Sequence, residues 1–165
     1  MASNRHLGRI IALQTLYEEE FRRDAGDAAF DLADVLQRNI SRYADMVDDT
    51  DFIASLVDGI LANRSDLDTR LQPIAPEWPI DQIARMDRIV LRIGLYELLH
   101  GKDIPPKVVI NEAVELAKAF GGENSSKFVN GVLGTALRQL TDSKKSTETL
   151  KSTGESTDPE KVKVI

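Results

Sequence analysis

The stretch DRIVLRIGLYELLH, residues 87–100, decides the fold. Its apolar side chains fall on almost every side of a helix, at Ile89, Val90, Leu91, Ile93, Leu95, Tyr96, Leu98 and Leu99. A helix that is apolar nearly all round belongs inside a protein core. Because it contains charged residues and is shorter than the roughly 18 apolar residues of a membrane span, it is predicted to be a buried central helix rather than a transmembrane one.

The remaining periodicity predicts an all-α protein of about seven helices. The other predicted helices cover about residues 4–23, 27–41, 52–61 (or onward to 71), 79–85, 108–120 and 125–140. Pro73, Pro76 and Pro79 break the pattern and predict a hinge between subdomains at about 1–72 and 77–141, with Trp78 packed in that joint. Residues 142–165 are polar and are predicted to form a disordered tail, because they offer little apolar surface to bury.

Composition excludes several functional classes. The chain has no cysteine, its two histidines lie far apart, and no nucleotide-binding loop or hydrolase motif is present, so no enzyme activity, cofactor or metal is expected. An N-terminus without an apolar signal segment indicates a cytoplasmic protein without a membrane partner. The net charge of −6 argues against a protein that binds nucleic acid unaided.

The first 17 residues differ from this acidic background. They contain no acidic residue, but Arg5, His6 and Arg9 lie in the first turns of the predicted first helix. Arg5 and Arg9 are four residues apart and share a face roughly opposite the apolar stripe. From the residues alone, this cluster is either an ordinary solvated helix start or part of a nucleic-acid site.

Several phrases in the chain resemble the NusB family of bacterial transcription antitermination factors. They are GRIIALQTLYEEE (8–20), DRIVLRIGLYEL (87–98), INEAVELAK (110–118) and KFVNGVL (127–133). The resemblance spans roughly residues 4–140 and implies a NusB-like all-α fold. It also implies RNA-binding control of transcription elongation on ribosomal RNA operons, without catalysis.

The resemblance further implies an RNA surface that binds the boxA element of nascent RNA. The family positions fall on Arg5, His6, Arg9, Arg92, Lys118, Phe120, Lys127 and Phe128. Cations would follow the phosphates and aromatic rings would stack on unpaired bases. Alternative interpretations remain: Phe120 and Phe128 also suit a core, and Arg92 suits an internal salt bridge with Glu97 or Asp87.

The family also implies two protein partners. A heterodimer with NusE, a small-subunit ribosomal protein, would present boxA RNA to the RNA polymerase elongation complex. The contact positions fall on Tyr17, Asp81, Asp87 and Asn124. Asp81 and Asp87 are equally explained as helix caps, and Tyr17 as a core residue with its hydroxyl at the edge. An acidic protein that binds a basic partner is electrostatically reasonable.

Departures from the family pattern favour weak RNA binding by the free chain. His6 stands where arginine is common, Asp87 replaces a longer glutamate, and Asn124 stands where aspartate is frequent. A homodimeric helical interaction module without RNA binding is therefore the rival hypothesis. If Arg9 lies on an exposed RNA surface, Arg9→Glu should weaken RNA binding roughly tenfold or more and leave stability within about 0.5 kcal/mol.

Overall fold

A computed structural model describes residues 4–153. Within that range the chain forms seven α-helices and one short 3-10 helix, and no β-strand. The helices are α1 (Asn4–Asp24), α2 (Leu32–Ser41), α3 (Thr50–Ala62), α4 (Arg64–Leu71), the 3-10 helix Ile80–Gln82, α5 (Arg85–His100), α6 (Pro106–Phe120) and α7 (Ser125–Thr153). The predicted all-α class is confirmed.

Helix α5 is the central element, as its sequence predicted. Every residue from Arg88 to Leu95 is buried, and so is Glu97. The helix contacts α1, α3 and α4 as well as α6 and α7, so the core surrounds it. Helix α1 runs antiparallel to α5, since Arg9 near the start of α1 meets Glu97, while Asp24 at its end meets Arg85.

Local signals define several helix ends. Asp31 caps α2 and Asp49 caps α3 by accepting backbone N–H bonds from Asp34 and Phe52. Helix α6 begins with Pro106 at its first position, where proline costs no intrahelical hydrogen bond. No helix within residues 4–153 is both long and apolar enough to cross a membrane.

Three boundaries differ from the sequence prediction. Helix α2 begins at its Asp31 cap rather than near Asp27. The predicted continuation of the third helix is interrupted at Asn63, whose side chain and backbone N–H both donate to the Gly59 carbonyl. Asparagine competes with helix bonds in this way. The segment after Pro79 forms only the 3-10 helix.

The predicted disordered tail is wrong for residues 142–153, which continue α7 as an exposed helix to Thr153. Extending an existing helix adds one backbone hydrogen bond per residue without a new nucleus, so burial is not required. Serine and threonine hydroxyls are satisfied by carbonyls one turn earlier, as at Ser146 and Thr147. Residues 154–165 lie outside the described residues. The division into two subdomains stays a prediction.

Close packing of α5 against α7 gives a testable prediction at Gly94. A Cβ atom there would lie 2.5 Å from Cδ1 of Leu133, which is fully buried, and 3.4 Å from Cβ of Ala113. Gly94→Ala is therefore expected to lower the free energy of unfolding by about 1–3 kcal/mol, measured by urea denaturation.

Gly131→Ala is the matched control for that variant. Gly131 lies on the exposed face of α7, where a Cβ would meet no atom of the described residues within 4 Å beyond its own helix backbone. Alanine there should stabilise the helix by roughly 0.5–1 kcal/mol. Equal effects of the two substitutions would contradict the packing described for Gly94.

Candidate functional site

The predicted exposed role of Arg9 is wrong. Only 3% of Arg9 is exposed, and its Nε and Nη2 atoms donate to the two carboxylate oxygens of Glu97 at 2.7 and 2.8 Å. Glu112 of α6 lies 3.9 Å away. At Arg9, the face of α1 opposite its apolar stripe is therefore covered by α5 and α6, and Arg9 contacts those helices instead of facing solvent.

Two other members of the predicted basic cluster are at or near the surface. His6 is half-buried, and its Nδ1 lies 2.6 Å from an oxygen of Glu112. Arg5 is exposed, and its guanidinium lies over the ring of Phe52, 4.8 Å from the centroid. Among residues 4–153, Arg5 has no carboxylate partner, in contrast to the other arginines of α1. Arg5 is thus the accessible cation of the cluster.

Arg92 occupies an internal ion network, which contradicts its RNA-facing assignment and agrees with the salt-bridge alternative. Its partners are neither of those predicted: Arg92 donates two bonds to Asp68 of α4, at 2.7 and 2.8 Å, and one to Glu20 of α1, at 3.2 Å. Burial lowers the pKa of Arg92, but hydrogen bonding and charge from Asp68, with Glu20, outweigh it and raise the pKa. The guanidinium is a fixed structural charge.

Several predicted residues converge at the N-terminal end of α5. A cleft of about 390 Å³ there, named the Asp87 cleft, is lined by Trp78, Gln82, Ile83, Ala84, Asp87, Gly122, Asn124, Ser125 and Phe128. Phe128 is half-buried against the core and Asn124 is exposed. Three predicted site residues, two for the partner and one for RNA, therefore share one cleft.

Asp87 has an unsatisfied oxygen in this cleft. Its Oδ1 is buried and, within the described residues, has no hydrogen-bond partner. The residue lies in the first turn of α5, where the positive end of the helix dipole favours a carboxylate. A buried acceptor without a donor costs free energy, so an incoming N–H group or cation would be stabilised here.

The other predicted site residues are exposed or half-buried. Lys118, Phe120 and Lys127 are exposed, with Phe120 37% exposed. Asp81 is exposed. Tyr17 is half-buried, and Arg85 lies over its ring at 5.7 Å.

Trp78 is more exposed than its sequence context predicts. It was predicted to pack in the proline-rich joint, but 56% of its surface is exposed, and it lines the Asp87 cleft. The three surrounding prolines indicated a turn but carried no information about which way the indole faces. A large exposed aromatic side chain at a cleft is typical of a contact surface.

The candidate residues form two groups rather than one continuous patch. The Asp87 cleft lies at the start of α5, whereas Arg9 meets Glu97 near the end of the helix. Ten residues of helix separate Asp87 from Glu97, a distance of about 15 Å along the axis. No cluster of three or more potential metal ligands occurs in the part of the chain that the structure describes.

Comparisons with known proteins agree with this fold. The NusB family model matches residues 6–138. The transcription antitermination protein NusB of Dehalococcoides mccartyi (strain ATCC BAA-2266 / KCTC 15142 / 195) is 38% identical over 148 residues, covering 90% of this chain and 99% of the relative. The NusB protein of Chloroflexus aggregans is 44% identical over 150 residues, covering 90% and 96%.

Solved structures show the same architecture. T. maritima NusB superposes with a TM-score of 0.73 at 35% identity, over 84% of this chain and 93% of that structure. A complex of the antitermination factors NusB and NusE with double-stranded RNA contains a chain with the same fold, with a TM-score of 0.71 at 24% identity, covering 84% and 99%. The chain therefore belongs to the NusB family of transcription antitermination proteins, which are not enzymes.

Proposed function

We propose that this chain forms a heterodimer with NusE, binds boxA RNA in nascent ribosomal RNA transcripts, and tethers that RNA to the elongating polymerase. The observation that carries the proposal is the Asp87 cleft. Residues as distant in sequence as Trp78 and Phe128 meet there around a carboxylate oxygen that lacks a donor. A family member of the same fold has been solved with NusE and double-stranded RNA, which supports this pair of partners.

The partner supplies charge that the chain lacks. The net charge is −6, and Arg9 and Arg92 are buried and paired with carboxylates inside the protein. The remaining candidate RNA contacts are the exposed cations Arg5, Lys118 and Lys127, the half-buried His6, and the rings of Phe120 and Phe128. A few cations and rings bind single-stranded RNA weakly at physiological salt, because each contact contributes only modestly. A basic ribosomal protein bound at the acidic cleft would add the missing positive potential.

The internal pairing of Arg9 and Arg92 also favours the rival hypothesis of a homodimeric interaction module. Two of the eight residues predicted to bind RNA face inward, so an RNA role depends on fewer groups than the resemblance implies. A salt titration of boxA RNA binding, with and without NusE, separates the two hypotheses. We expect weak binding by the chain alone and markedly tighter binding with NusE. Binding that stays at the level of a scrambled RNA in both cases would support the rival.

A second experiment tests the partner surface at Asp87. Asp87→Asn keeps the shape of the side chain but removes its charge, and charged hydrogen bonds contribute about 1.5–3 kcal/mol. We expect the affinity for NusE, measured by calorimetry, to fall roughly tenfold or more. Asp34→Asn is the control, because Asp34 occupies the equivalent position in the first turn of α2 and is exposed. Equal losses in both variants would exclude a specific role for Asp87.

A further inference from the structure

A second cleft lies at the opposite end of α5, and none of its lining residues belongs to the Asp87 cleft. This His100 cleft has a volume of about 320 Å³, and Arg5, Phe52, Ser55, Tyr96, His100 and Lys102 form most of its lining. Its size is at the lower end of the roughly 300–1,000 Å³ typical of small-ligand pockets. A cleft of this size can accommodate one flat group such as a nucleobase.

Aromatic surfaces are arranged in pairs around this cleft. The ring of His100 lies against that of Tyr96, with centroids 4.6 Å apart and planes tilted by 35°. The planar guanidinium of Arg5 lies over Phe52 on α3. Tyr96 is held in place because it packs directly against Gly59, where an added Cβ would collide with its ring. Stacked rings and an aligned guanidinium are the surfaces that bind unpaired nucleobases.

The charge distribution in the cleft favours an anion. Within residues 4–153, neither Arg5 nor Lys102 forms an ion pair, and both side chains are exposed. Glu97 also lines the cleft, but its carboxylate is occupied by Arg9 at 2.7 and 2.8 Å. Asp103 is the remaining carboxylate of the lining. Two available cations against one carboxylate leave a local excess of positive charge on an acidic protein.

We infer that the His100 cleft binds one nucleotide of a single-stranded RNA. The base stacks on the His100–Tyr96 pair, and the adjoining phosphates contact Arg5 and Lys102. This inference rests on the proposed RNA-binding function and adds a specific subsite to it. His100 lies thirteen residues beyond Asp87, about 20 Å along α5, so the subsite extends the RNA path to the far end of the central helix.

Ser55→Trp tests the subsite by filling it. Ser55 is exposed on α3 at the cleft, and serine and tryptophan have similar helix propensities, so the fold should be retained. Loss of one stacked base corresponds to a roughly five- to 150-fold loss of RNA affinity. The measurement is fluorescence anisotropy of labelled boxA RNA with the heterodimer. Ser65→Trp, at an exposed position of α4, is the matched control and should bind as the wild type does.

Lys102→Ala tests the phosphate contact. It should reduce the slope of log affinity against log salt concentration by about 0.7, the value for one phosphate contact on a single strand. Lys144→Ala on the exposed end of α7 should leave the slope unchanged.

The outcomes separate this inference from the proposed function. If the wild-type heterodimer binds boxA RNA and Ser55→Trp binds equally well, the subsite is excluded while the function stands. If Ser55→Trp instead weakens NusE binding, the cleft is a protein contact and the inference is wrong. If the wild type does not bind RNA with or without NusE, both are wrong.

Discussion

Arg9→Met is expected to lower the free energy of unfolding by about 3–5 kcal/mol, because it leaves the carboxylate of Glu97 buried without its partner. Both side chains are only 4% exposed, and two hydrogen bonds join them. The nearby carboxylate of Glu112 lies 3.9 Å from Arg9 and would add repulsion once the guanidinium is gone. This expectation replaces the near-neutral effect on stability that follows from an exposed Arg9.

The measurement is urea denaturation of the purified chain, with two companion variants. Arg5→Met is the same substitution one turn earlier in α1, at an exposed position, and should change stability by no more than about 0.5 kcal/mol. Arg9→Met combined with Glu97→Met should recover much of the loss, since apolar residues of similar volume often replace a buried ion pair. If Arg9→Met were as stable as Arg5→Met, the buried pair would not contribute to the fold.

Glu20→Gln is expected to have a comparably large effect, about 3–5 kcal/mol, through the other ion network of α5. Glu20 is 3% exposed and lies 3.2 Å from both Arg88 and Arg92 and 3.6 Å from Arg85. The amide cannot neutralise these guanidinium groups. Arg92 keeps Asp68, but Arg88 would retain only hydrogen bonds to backbone carbonyls.

Glu18→Gln provides the control for this network. Glu18 lies two residues earlier in α1 and pairs with Arg22 and Arg38 at the surface, where ion pairs contribute about 0–1 kcal/mol. Denaturant midpoints of the two variants should therefore differ clearly. A loss in Glu20→Gln no larger than in Glu18→Gln would show that Arg85, Arg88 and Arg92 are held by other contacts.

The sequence was most informative where side-chain pattern alone determines burial. The nearly continuous apolar surface of α5 predicted a position in the core. Gly101, Pro105 and Pro106 predicted where the helix ends. The family resemblance also led to the assignment of Asp87, Asn124 and Phe128 as site residues, and the fold brings these three residues to one cleft. The burial of α5 follows from local chemistry, whereas the roles of the three cleft residues stay predictions.

The wrong predictions for Arg9 and Arg92 share a physical cause. Whether an arginine faces solvent depends on which helix packs over it, and helical spacing does not contain that information. Arg9 looked solvent-facing because it lies opposite the apolar stripe of α1, yet carboxylates from α5 and α6 cover it. Arg92 pairs with Asp68 and Glu20, which lie 24 and 72 positions away in the sequence. Helical spacing around Arg92 therefore cannot predict these partners. The prediction of disorder after residue 141 was wrong for another reason. It assumed that a segment needs apolar surface to become ordered, but an exposed extension of an existing helix does not.

Because α5 is buried and held at both ends by α1, the spacing of residues along this helix is fixed. Inserting or deleting one residue between Asp87 and Glu97 would turn everything beyond that point by about 100° and shift it by about 1.5 Å. Glu97 would then miss Arg9, and His100 would leave its cleft, while the opposite end stayed in place. Changes of chain length should thus be tolerated better in exposed connections between helices than anywhere along α5.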